Sequence, residues 1–295
     1  MKLKDLTGHV CIVTGANSGI GKATALGLAT QGARVAMVCR SERRGAQARE
    51  EILAACGHDR VDLHLADLSL QSDVRALGER LDASYNRIDV LVNNAGVFMG
   101  ERIETGDGME TTLAVNHLAP FLLTHILIDT MIDTARSHGE ARIVNVGSEA
   151  HRGARIDFDD LHGESSYSGF RAYGQSKLAN MLFTHELARR LHGTGVSANC
   201  VHPGVVSTNI WRGSDWLSRV ARFFSWFYDS PETGAEGPLY LAASPDVNGV
   251  TGQYFNGTEK AKPAIAAFNE KTAARLWRKS RALTGMSVGN AKELL

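Results

Sequence analysis

The run Thr14-Gly15-Ala16-Asn17-Ser18-Gly19-Ile20-Gly21 follows directly on a short apolar segment and opens a stretch with helical spacing. Glycines at a strand-to-helix junction let the backbone turn sharply and bring its N–H groups close to an anion. The helix N-terminus adds unsatisfied donors and partial positive charge, so the chemistry on offer is the binding of a diphosphate. A glycine-rich turn without a ligand is the plain alternative, and three glycines at this offset weigh against it. In dinucleotide folds the residue closing the second strand selects the cofactor: a carboxylate bonds the ribose 2′-OH, whereas an arginine accommodates a 2′-phosphate. Here that place holds Arg40, after Cys39 and before Ser41, Arg43 and Arg44. A guanidinium grips phosphate with paired charge-assisted bonds, so NADP(H) is the expected cofactor. Arg43 and Arg44 read equally well as solvated charge on a helix start.

The elements that must position these groups are legible as alternating patterns. His9 to Thr14, Arg34 to Cys39, Val61 to Ala66, Ile88 to Val92, Arg142 to Val146 and Val196 to Val201 are short apolar runs that read as buried strands. Helical spacing occupies Ile20 to Gln31, Arg44 to Cys56, Ser72 to Ala83, Met109 to Ala135 and Tyr173 to Leu191. A helix opened by Ser230-Pro231-Glu232, a short strand around Gln253 to Phe255 and an amphipathic helix from Ala264 to Ala282 complete the chain. Strand alternating with helix predicts an α/β fold: one Rossmann-type, doubly wound parallel sheet of about seven strands with helices on both faces. No repeat or linker divides the 295 residues, so a single domain is expected. The link from Gly147 to Ala172 is longer than a normal connection, a length more often functional than accidental.

The spacing Gly-x-x-x-Gly-x-Gly resembles that of the short-chain dehydrogenase/reductase superfamily. The resemblance continues through Asn93-Asn94-Ala95-Gly96, Asn116, Ser148, Tyr173-x-x-x-Lys177 and Pro203-Gly204-Val205-Val206-Ser207-Thr208, in order and on the matching elements from about Gly8 to Phe255. It implies an oxidoreductase in which Tyr173 is the general acid/base and Ser148 bonds the carbonyl oxygen. It further implies that Lys177 bonds the nicotinamide ribose and that Asn116 holds a water leading to solvent. Hydride transfer to a carbonyl leaves an alkoxide needing a proton, which a phenol can give. A tyrosine pKa is ordinarily near 10, and the Lys177 ammonium one turn away is expected to lower it. Carried over residue by residue, the cofactor set is Gly15, Asn17, Ser18, Gly19, Ile20, Gly21, Arg40, Asp67, Leu68, Asn94, Ala95, Gly96, Tyr173, Lys177, Pro203, Gly204, Val206 and Thr208. Asp67 reads as the adenine contact or as a cap on the next helix. Many relatives carry two serines where this chain has Gly147-Ser148, which leaves Ser148 as the one candidate there.

Within the superfamily the closer resemblance is to the retinol dehydrogenase-like branch, through Cys39-Arg40, Glu149-Ala150-His151, Phe158-Asp159-Asp160-Leu161 and Ser176-Lys177-Leu178-Ala179-Asn180. Between Ile210 and Tyr228 the chain concentrates aromatic residues, Trp211 and Trp216 among them, where the family places its substrate lid, about 205–230. An aromatic wall suits a lipophilic aldehyde or ketone; core packing and a membrane-surface patch are the other readings. His151 is a candidate for the carbonyl end of the pocket, or a surface loop histidine. Reduction of an enone C=C bond and a non-catalytic dinucleotide sensor are the alternative functions. With 32 basic and 32 acidic residues, the chain lacks the basic field of a nucleic-acid binder. Its four cysteines form no metal-ligand spacing, and reduced thiols in the cytoplasm are expected. No transmembrane anchor is read in the sequence, and loose membrane contact stays open. Superfamily members commonly dimerise through the helices beginning near Met109 and Tyr173, although those faces could equally be satisfied within a monomer.

Overall fold

A computed structural model of the chain describes residues 1–203 and 230–286. Eight strands form one sheet in the order β3-β2-β1-β4-β5-β6-β7-β8. They are β1 (Val10–Thr14), β2 (Arg34–Cys39), β3 (Val61–Leu65), β4 (Val90–Asn93), β5 (Ala141–Val146), β6 (Val196–His202), β7 (Tyr254–Asn256) and β8 (Glu259–Ala261). All neighbouring pairs are parallel except β7 and β8, whose antiparallel hairpin adds one strand to the seven expected. That edge strand reads Glu-Lys-Ala and has no apolar alternation to betray it.

The connecting helices are α1 (Gly19–Thr30), α2 (Glu42–Cys56), α3 (Gln71–Ser84), α4 (Thr111–His138), α5 (Gly169–Arg190), α6 (Pro231–Ala243) and α7 (Glu270–Leu283). Alternate strand residues serve opposite faces. Ile12, Val38, Leu91 and Ile143 meet Leu77, Phe121, Leu127 and Leu187 from α3, α4 and α5. Cys11, Met37, Val92 and Val144 meet Leu28, Ile52 and Leu241 from α1, α2 and α6. The strand order reverses between β1 and β4, which opens a crevice at the carboxyl ends of the strands, the usual ligand position in such sheets.

The expected tail helix is split: a short turn over Ile265–Phe268 precedes α7, whose start is capped by Asn269 accepting from Thr272 N–H at 2.9 Å. Helix α7 lies against α4 and α5. Its Trp277 is 2% exposed, with its ring centroid 5.1 Å from Phe121, 5.0 Å from His125 and 5.8 Å from Phe183. The Arg190 guanidinium covers that indole at 4.4 Å. Part of the α4 and α5 surface is therefore packed within the chain. Helix α4 is long and apolar enough to cross a membrane, yet 89% of its most apolar window is buried in the fold. The four thiols are free; Cys11, Cys39 and Cys200 are buried and Cys56 half-buried.

Candidate active site

The β1–α1 turn is shaped by conformations that only glycine adopts easily. Gly15 and Gly19 have φ of +69° and +53°. A Cβ on Gly15 would stand 3.0 Å from Ala95 Cα, and one on Gly21 would collide with Asn94 Nδ2 and the Gly15 carbonyl. Ser18 stands at the N-cap of α1 without a side-chain cap bond, and the first turn carries no acid. The donors at this helix end are thus left for a ligand. Thr14, which sequence reasoning passed over, fastens the crevice: its hydroxyl accepts from Asn94 and Ala95 N–H, each at 3.0 Å, while Asn94 Nδ2 donates to the Thr14 carbonyl at 2.8 Å. Only the close approach of β1 and β4 creates that role.

One cavity of about 770 Å³ runs along this edge, lined by Gly15, Asn17, Ser18, Gly19, Ile20, Gly21, Arg40, Asp67, Leu68, Asn94, Ala95, Gly96, Tyr173 and Lys177. Val97, Val115, Val146 and Gly147 extend its walls, and Ser230 and Pro231 at the start of α6 close one side. Arg40 and Arg44 stand together at the β2 end, whereas Arg43 is outside the lining. Arg40 is 3.9 Å from Asp67, and its largely exposed side chain is free to turn toward a phosphate. Asp67 caps no helix: its Oδ1 accepts from Ser69 N–H at 3.0 Å and from the Ser69 hydroxyl at 2.7 Å, a local turn before α3. A glycine-built anion cradle, uncapped helix donors and two guanidiniums fit a phosphorylated dinucleotide.

Tyr173 and Lys177 lie one turn apart on α5 and are both buried. Lys177 Nζ donates to the Val146 carbonyl at 2.9 Å and stands 5.5 Å from the Tyr173 ring centroid. Burial brings the lysine down to about 8 and pushes the phenol up to about 12, opposed by a hydrogen bond to Ser148. The expected lowering of Tyr173 by Lys177 is absent: desolvation raises the phenol, and the hydrogen bond with Ser148 offsets only part of it. Ser148 also caps the short turn Glu149–His151, its Oγ accepting from Ala150 N–H at 3.2 Å. A Cβ on Gly147 would stand 2.6 Å from Cys200 Sγ, which explains why no second serine precedes Ser148.

Asn116 lies in a π-helical turn, Ala114–Leu118, inside α4. Such turns often mark functional positions. Its Oδ1 accepts from Val97 N–H at 2.7 Å, while Nδ2 lies 2.9 Å from the Val97 carbonyl and 3.0 Å from Ser176 Oγ. Gly96 sits between it and Lys177: a Cβ there would be 3.4 Å from Asn116 Oδ1 and 3.6 Å from Lys177 Nζ.

His151 is not a surface loop histidine. It is buried and, like Ser148, lies outside the lining of the described cavity. Nδ1 is 2.6 Å from the Ser148 carbonyl and Nε2 accepts from Ala264 N–H at 3.0 Å, so both nitrogens are spent on backbone. Glu149 adds a bond from Tyr254 Oη at 2.6 Å and an ion pair with Arg152, which fastens the Ser148 turn to the β7–β8 end of the molecule. Two glycines that the sequence did not single out let α5 approach: a Cβ on Gly174 would stand 2.9 Å from the Ala150 carbonyl, and one on Gly169 would strike the Met99 carbonyl. Pro203 is buried just beyond β6. Gly204, Val206, Thr208, Trp211 and Trp216, with the lid they were assigned to, lie outside the described residues.

Among known proteins, the short chain dehydrogenase family pattern matches residues 9–215. Retinol dehydrogenase 12 of Mus musculus is 44% identical over 281 residues, covering 95% of this chain and 88% of that protein. Retinol dehydrogenase 11 of Homo sapiens is 42% identical over 283 residues, covering 96% and 88%. A crystal structure of a putative uncharacterized protein from Mycobacterium Paratuberculosis superposes with a TM-score of 0.78 at 32% identity, covering 98% of each chain. The chain belongs to the short-chain dehydrogenase/reductase family, in its retinol dehydrogenase-like branch, and is an oxidoreductase acting on CH–OH or C=O groups.

Proposed function

We propose that the chain is an NADPH-dependent reductase of lipophilic aldehydes or ketones, with Tyr173 as the proton donor. The observation that carries this reading is the convergence of the Tyr173 phenol, the Ser148 hydroxyl and the Lys177 ammonium beside a cavity whose far end holds Arg40 and Arg44. The glycine turn and the α1 N-terminus would hold the diphosphate, and Arg40 with Arg44 the 2′-phosphate. When bound, the dinucleotide supplies the hydride.

Ser148 donates a hydrogen bond to the substrate oxygen and steers it to Tyr173. The buried phenol, held at about 12, enters the reaction protonated and gives its proton to the oxygen as negative charge develops there. Lys177, fixed by the Val146 carbonyl, holds positive charge near the phenolate that remains. Asn116 pins Val97 and the loop carrying Gly96, which keeps the cavity floor against α5. Direction follows from cofactor supply: where Arg40 selects NADP(H) and that pool is kept reduced, carbonyl reduction is the working reaction. The cytoplasm, where the NADP(H) pool is kept reduced, is the compartment this reading assigns, and subcellular fractionation tests it. Following NADPH absorbance with retinal, steroid ketones, aromatic ketones and enones tests the reaction. Turnover of enones at the C=C bond, or tight NADPH binding without turnover of any class, would overturn it.

A further inference from the structure

We infer that His117 and Ser280 are positioning residues for the reaction: helix α7 braces the turn that carries Asn116, and with it the cavity floor beside Tyr173 and Lys177. The inference rests on the reductase reading above for the reaction it serves. Within Ala114–Leu118 the Ala119 N–H reaches back to the Ala114 carbonyl, one residue beyond α-helical reach. Pro120 follows, with no N–H to give and a ring that crowds the preceding turn. A ladder opened at both places leaves the turn soft, so side chains must fix where Asn116 points.

Two successive residues supply that hold in different directions. Asn116 reaches toward Val97 and Ser176, and the Ser176 hydroxyl donates to the Tyr173 carbonyl at 2.8 Å. His117 turns away from them, and its Nε2 lies 2.8 Å from Ser280 Oγ on α7; both residues are buried. Burial brings the imidazole down to about 4, so it is neutral. Its Nδ1 has no hydrogen-bond partner among the described residues, which makes the Ser280 hydroxyl its one such tie there. One turn further along α7, Leu283 packs with Leu113 and Leu118, which flank the same turn. The brace is itself anchored: Gln71 Nε2 donates to the Leu283 carbonyl at 2.9 Å, and Arg75 holds the Thr284 carbonyl. Removing the Ser280 hydroxyl therefore strands a buried imidazole nitrogen and frees the turn, while Asn116, Tyr173, Lys177 and the phosphate cradle stay chemically intact.

The test compares the wild type with Ser280→Ala, His117→Phe, their double variant and Leu276→Ala, a control on α7 that packs in a separate cluster with Leu178 and Leu182. NADPH oxidation is followed with retinal, a steroid ketone and an aromatic ketone. Hydrogen exchange is read at the Val97 amide, which Asn116 Oδ1 holds at 2.7 Å. In Ser280→Ala, kcat is expected to fall about fivefold to tenfold and Val97 exchange to quicken by a similar factor, with the NADPH Kd unchanged. The double variant should lose no more than His117→Phe alone, because one bond carries both effects. Leu276→Ala should lower Tm without either change. Unaltered kcat and exchange in Ser280→Ala, additive losses in the double variant, or the same losses in Leu276→Ala overturn the inference. If no carbonyl is reduced, yet Val97 exchange quickens in Ser280→Ala and not in Leu276→Ala, the brace stands and the reductase reading falls.

Discussion

Replacing Gly21 by alanine drives a methyl group into the tightest point of the phosphate turn. The new carbon would stand 2.9 Å from the Gly15 carbonyl carbon and closer still to its oxygen and to Asn94 Nδ2. Neither neighbour can yield easily. Asn94 Nδ2 is committed to the Thr14 carbonyl at 2.8 Å, and Gly15 is held at a φ of +69°. Overpacking of this kind costs about 1–3 kcal/mol. The turn and the α1 N-terminus must separate to relieve it, with loss of at least one N–H bond to a charged phosphate, worth about 1.5–3 kcal/mol. At 1.4 kcal/mol per factor of ten, NADPH binding weakens by about tenfold to 150-fold. Gly27→Ala is the control on the same helix. Its Cβ would meet only the Leu239 side chain, at 2.6 Å, so it should lower Tm and leave NADPH Kd unchanged. Fluorescence titration with NADPH and thermal unfolding of the free proteins separate the two costs. Wild-type affinity in Gly21→Ala, or equal loss in Gly27→Ala, would refute the reasoning.

Tyr173→Phe should fold, bind NADPH as the wild type does and lose about 10²- to 10⁴-fold in kcat, measured by NADPH consumption; retained turnover excludes the phenol as proton donor. Arg40→Asp should reverse the ratio of kcat/KM for NADPH over NADH, and a wild type that prefers NADH would remove Arg40 from the 2′-phosphate. Because burial brings Lys177 down to about 8, its charge is present below that pH and lost above it, so the reduction rate should fall through an alkaline limb near pH 8. A rate level to pH 10 contradicts this, since Tyr173 at about 12 supplies no limb in that range. Trp277→Ala, emptying a site 2% exposed, should cost about 3–5 kcal/mol in denaturant unfolding.

Strands β1 to β6 and the glycine turn after β1 were legible because each carries a local signal. Val and Ile runs mark buried parallel strands, and Gly15, Gly19 and Gly21 mark a turn whose strain is set within one segment. What escaped depends on distant partners. Thr14 becomes a clamp only when β4 lies beside β1, and Gly174 matters only because the Ala150 carbonyl comes within reach. His151 looked like a loop residue until Ala264, more than a hundred positions onward, took its second nitrogen. Helix α5 begins at Gly169, ahead of the expected Tyr173, because Gly169-Phe170 serves the approach of the Met99 loop and carries no helix-start signal. The pKa of Tyr173 was misjudged for the same reason: spacing on a helix gives the neighbour, whereas burial is a property of the whole fold.

The placement of α7 bears on how copies of this chain relate to one another. His117 bonds the Ser280 hydroxyl at 2.8 Å, and Arg75 holds the Thr284 carbonyl, so both sides of the helix's last turns are moored to the body. A second molecule seeking the ground beneath Trp277 competes with a tethered occupant whose effective concentration is on the order of millimolar. Specific activity should hold constant on dilution, and saturation by either reactant should be hyperbolic.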